Sequence, residues 1–79
     1  MTEYDSPVHD GPGRHARAAE AHDGAVARHE EAARYWTERG DERRADLERR
    51  NADIERAAAQ LERDRAALER SSPRPARVE

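Results

Sequence analysis

The sequence predicts an all-α protein, an antiparallel two-helix hairpin of coiled-coil type that is expected to dimerise into a four-helix bundle. Three observations lead there. Heavy side chains return every seventh residue in two stretches: His15, His22, His29 and Trp36 in the first, Leu47, Ile54, Leu61 and Leu68 in the second. That recurrence is helical, because positions three, four and seven apart share one face. Gly40 and Asp41 lie between the two stretches, where a turn belongs. Composition agrees, since 16 of the 79 residues are Ala and all 15 basic residues are Arg, both strong helix formers.

Residues 1–13 contain Pro7, Gly11, Pro12 and Gly13 with almost no apolar periodicity, which predicts a flexible N-terminal arm. The first helix is expected from about Arg14 to Arg39. Ala18 with Ala19, Ala25 with Val26, and Ala32 with Ala33 follow each His by three and four places, so rings and small residues form one face. Gly24 is the weak point, because an interior Gly costs about 1 kcal/mol relative to Ala. The seven-residue rhythm passes through it without a slip, so one continuous helix is predicted. Arg39 suits the helix C-terminus, Gly40 can take the left-handed conformation beyond it, and Asp41 can cap the next helix.

The second helix is expected from about Glu42 to Arg70, within a hairpin over residues 14–70. Its four heptads read Ala-x-Leu/Ile-Glu-Arg-x-x, starting at Ala45, Ala52, Ala59 and Ala66. Leu47, Ile54, Leu61 and Leu68 form one apolar line, and the four Ala lie almost opposite it. Asp46 with Arg50, Asp53 with Arg56 and Glu62 with Arg65 are spaced to pair, at about 0.2–0.5 kcal/mol each. Ser71-Ser72-Pro73-Arg74-Pro75 then predicts the helix end, with residues 71–79 a disordered tail.

Folding back at Gly40-Asp41 pairs positions whose numbers add to roughly 81. The expected layers set Leu47 near Ala33 and Trp36, Ile54 near Val26 and His29, Leu61 near Ala19 and His22, and Leu68 near His15. Such a seam is thin, because a chain this short with few large aliphatics has little to bury. Self-association is therefore expected, as a homodimer or with a helical protein partner. His15, His22, Val26, His29, Trp36, Leu47, Asn51, Ile54, Leu61 and Leu68 are the candidate interface residues. If the Leu line occupies d, the a positions are Arg44, Asn51, Ala58 and Arg65, and an Asn at a can set register. Its other reading is a plain solvent-facing residue.

Composition also narrows the function classes. The net charge is −3 and no Cys is present, so disulfides, thiolate metal sites and Cys nucleophiles are excluded. No apolar run approaches a membrane span and no signal-peptide pattern opens the chain, which predicts a soluble cytoplasmic protein without membrane contact. Neither a phosphate-cradling Gly loop nor a paired nucleophile and base is present, so no enzyme, substrate or cofactor is expected. Consecutive His of the series stand about 10.5 Å apart along a helix axis, too far to share one metal. Their milder roles are amphipathic rings bordering the core or a pH- or metal-responsive series. Arg43-Arg44, Arg49-Arg50, Arg74 and Arg77 suggest a nucleic-acid accessory role, which the acidic neighbours and missing aromatics oppose.

The stretch Ala33, Trp36, Gly40-Asp41, Ala45 and Ala52 resembles the middle of a tetratricopeptide repeat. The likeness covers about 20 residues in the sense of that repeat's turn. It departs at Arg49, where the family has an aromatic, and at Ala57, where it has Pro, and the helices here are longer, so a peptide-binding solenoid is not implied. As a whole the chain resembles short Ala/Arg/Glu-rich helical-hairpin proteins of high-GC bacteria, a likeness that brings no activity with it. The expected function is that of a non-enzymatic interaction or scaffolding protein working through coiled-coil packing.

Overall fold

The structure is a computed structural model that describes residues 11–71. Residues 1–10 of the arm expected over 1–13 and residues 72–79 of the tail expected over 71–79 lie outside the described residues, and Ser71 belongs to the second helix rather than to the tail. Two helices, α1 (Gly11–Glu38) and α2 (Glu42–Ser71), pack against one another. No strand occurs among the described residues.

Helix α1 starts at Gly11 rather than at Arg14, so Gly11-Pro12-Gly13 belongs to its first turn and not to an arm. Pro is tolerated there because its missing N–H has no intrahelical acceptor to lose. Gly24 lies inside the unbroken helix, and a Cβ added there would meet only the end of Arg28, at 3.5 Å.

The turn is built as the sequence implies. Gly40 has φ of +78°, and its N–H donates to the Thr37 carbonyl at 3.0 Å while the Asp41 N–H donates to that of Trp36 at 2.9 Å. These two bonds satisfy carbonyls that the end of α1 would leave open, in the Schellman arrangement. Asp41 then caps α2: its carboxylate accepts the Arg44 backbone N–H at 3.0 Å and the Arg44 guanidinium at 2.6 Å. Arg44 also lies over the Trp36 ring, 4.9 Å from its centroid, and the Tyr35 ring meets Trp36 edge-on at 5.0 Å. Trp36, half-buried, closes the seam at the turn.

The face that α2 turns toward α1 corrects the expected layering. Ala45, Ala52, Ala59 and Ala66 are at most 3% exposed and occupy the seam, opposite the buried Ala19 and Ala33 and the half-buried Val26. Leu47, Ile54, Leu61 and Leu68 are 48–66% exposed and point outward, so none of them packs in the predicted layers. Seven-residue periodicity identifies two lines on opposite sides of α2 without saying which is inside. The Ala line is inside because methyl groups let the helices approach closely, and close approach brings long polar side chains on both flanks within reach of each other.

Ala52→Leu should destabilise the hairpin by about 1–3 kcal/mol through overpacking. Gly24→Ala should stabilise it by about 0.5–1 kcal/mol, since the space is open and the helix gains propensity. Urea titrations followed by helical circular dichroism check both signs.

Candidate functional site

The Ala seam is bordered on each side by a ladder of polar contacts. On one flank the Nδ1 atoms of His15, His22 and His29 lie 2.6, 2.6 and 2.7 Å from carboxylate oxygens of Glu62, Glu55 and Glu48. The two residue numbers have the same sum in every rung, which is the mark of antiparallel helices in constant register. An ionised carboxylate only accepts, so each ring donates from Nδ1–H and the tautomer is fixed by its Glu. All six side chains are partly shielded, from 15% exposed at Glu62 to 36% at His22.

The opposite flank repeats the device with other chemistry. Arg56 pairs with Glu30 and Arg63 with Asp23, while Arg49 donates to the Thr37 hydroxyl at 3.2 Å. These rungs also share one sum. Arg49, Arg56 and Arg65 are anchored within α2 by Asp46, Asp53 and Glu62 at 2.6, 2.7 and 3.0 Å. Asp46 thus pairs with Arg49, three residues on, rather than with Arg50. The Arg ladder is about half exposed, so each pair contributes only about 0.2–1 kcal/mol. Its value lies in register, because sliding one helix by a residue breaks every rung together.

The predicted site residues therefore separate into two groups. His15, His22, Val26, His29 and Trp36 are brought together on the seam side of α1. Leu47, Ile54, Leu61 and Leu68 form a stripe along the outer side of α2, with exposed Asn51 beside it. Gly40 and Asp41 make the turn. Sequence reasoning passed over Glu48, Glu55 and Glu62 as rung partners, although their heptad spacing matches that of the three His. It likewise passed over Asp23 and Glu30 against Arg56 and Arg63.

An open groove on the Arg side is floored by Ala33 and Ala52 and rimmed by Glu30, Arg34, Arg49 and Arg56. Within it Arg56 pairs with Glu30 and Asp53, while Arg49 pairs with Glu42 and Asp46. No group of three His, Cys, Asp or Glu side chains among the described residues is placed to hold a metal ion. No helix among them is long and apolar enough to cross a membrane.

Two carboxyls have lowered pKa values. The hydrogen bond from His15, reinforced by Arg65, holds Glu62 below its ordinary 4.5. Asp41 falls below 3.8 mainly through the Arg44 backbone N–H and then the Arg44 side chain. A depressed carboxyl stabilises the fold above its unfolded value, and that contribution is lost as pH falls through the folded one. The urea midpoint should therefore drop on going from pH 6 to pH 3, and Glu62→Gln should reduce the size of that drop. A double-mutant cycle on His29 and Glu48 should give a coupling of about 0.5–1.5 kcal/mol at neutral pH.

Searches with this chain against protein-family models, curated proteins and solved structures give no match.

Proposed function

We propose that the protein is a small, non-enzymatic helical interaction or scaffolding protein that associates through coiled-coil packing of the outer side of α2. One observation carries this reading. The four largest aliphatic side chains of α2 lie on a single heptad line and are exposed, while the buried apolar side chains among the described residues are all Ala. A stripe of Leu and Ile along about six turns of helix is the surface that a second helix covers in a coiled coil. Leaving it in water forgoes about 1.5–3 kcal/mol for each side chain that a partner could bury. Association of this kind needs no pocket and no cofactor.

A second reading is supported by the His ladder. Protonation of the rings would turn three hydrogen bonds from a neutral ring to a carboxylate into ion pairs across one seam, a proton-responsive element of the hairpin. His15 faces Glu62 and, at 3.9 Å, Glu69; His22 faces Glu55; His29 faces Glu48.

Sedimentation equilibrium at micromolar concentration tests the first reading. The wild-type chain should associate with itself or with its helical partner, and Ile54→Arg should abolish that association while the circular dichroism of the hairpin is kept. An Ile54→Arg chain that associates as tightly as wild type would sink it. Repeating the urea titration at pH 5.5 and pH 7.5 tests the second, and a midpoint that is the same at both pH values would overturn it.

A further inference from the structure

We infer that the partner on the outer line of α2 is a second copy of this chain, with the two α2 helices antiparallel and Ala57 of each beside the two-fold axis. This rests on the interaction reading above and adds an occupant and an orientation. With the Leu line at d, the neighbouring a line is Arg44, Asn51, Ala58 and Arg65, and one flank carries Arg50, Ala57 and Asp64. An antiparallel pair sets each a residue opposite a d residue and each flank opposite its own copy.

One register then uses the whole line. Ile54 faces Ala58 of the second copy on both sides of the axis, which is large-to-small packing at the centre. Leu61 faces Asn51 in the next layer. Leu47 and Leu68 face Arg65 and Arg44, whose aliphatic stems can lie along them while the guanidiniums reach water. On the flank, Arg50 of each chain meets Asp64 of the other, and Ala57 meets Ala57. Neither Arg50 nor Asp64 takes part in an ion pair among the described residues; the Asp64 carboxylate accepts only from Gln60, at 3.0 Å. On the opposite flank Glu55 meets its copy and Glu48 meets Glu62. Those carboxylates are already held by His22, His29 and His15 of their own chains.

A parallel pair uses the same line less well. It stacks Arg44 on Arg44 and Arg65 on Arg65 within the core, where like charges oppose association. On its flanks Arg50 meets Glu55 and Arg43 meets Glu48 while Asp64 meets Glu69, so the core residues and not the flanks disfavour it. It also aligns the two helix dipoles, whereas the antiparallel pair opposes them.

The absence of cysteine makes single-Cys variants clean probes. Ala57→Cys should be captured as a covalent dimer by a short bismaleimide. Asn51→Cys should not, since its copies stand about 15 Å apart along the axis. In sedimentation equilibrium Asp64→Arg should weaken the dimer on the order of tenfold, and Arg50→Asp in the same chain should restore it to near the wild-type value. These positions are exposed, and helical circular dichroism verifies that the hairpin is kept. Efficient capture through Asn51→Cys but not Ala57→Cys, or a dimer tightened by Asp64→Arg, would overturn the orientation while self-association stands. A wild-type chain that is monomeric at these concentrations would overturn the second copy as occupant and leave the interaction reading to a different helical partner.

Discussion

The close approach of two helices across a line of Ala methyl groups is the constraint on which the rest of the structure depends. Ala45, Ala52, Ala59 and Ala66 present so little bulk that α1 can lie directly against them. Side chains flanking that line are then close enough to bridge from helix to helix. The three His–Glu rungs and the Arg rungs follow from that spacing, since a seam of Leu would hold the backbones further apart. The hairpin is thus closed by small residues and aligned by polar ones.

This division of labour explains an otherwise odd composition. Small side chains remove little apolar area from water, so the seam needs partners that bring specificity more than bulk. Each rung is modest, but six contacts in two ladders share one register, and any slip would break them together. At the closed end, the Gly40 and Asp41 bonds and Arg44 over Trp36 fix the angle at which the ladders begin. The same arrangement releases the large aliphatics. Because Ala supplies the inner line, Leu47, Ile54, Leu61 and Leu68 are left exposed on the outer side of α2.

The His series carries a different meaning in this setting. Taken alone, His15, His22 and His29 suggest a metal or proton site, but their spacing keeps them on separate rungs, each facing a carboxylate. Nδ1 of each ring is committed to that carboxylate, so the series aligns the two helices. Glu62 is the rung where this pairing is most visible, with its carboxyl pKa lowered mainly by the His15 hydrogen bond.

The sequence by itself determined the two helices, the Gly40-Asp41 turn with its caps, and the ring-bearing face of α1, and it favoured without deciding the unbroken passage through Gly24. These features depend on local geometry: periodicity, one residue able to take positive φ, and one carboxylate placed three residues before an amide. Only the tertiary structure decided which side of α2 turns inward. Ala and Leu recur with the same period on opposite sides of one helix, so periodicity is silent on the choice, and a habit of placing the larger side chain inside points the wrong way. Packing decided it, because the Ala line alone lets Glu48, Glu55 and Glu62 reach His29, His22 and His15 while Arg56 and Arg63 reach Glu30 and Asp23. The matching heptads were present in the sequence, but their pairing becomes visible only when the distance between the helices is known.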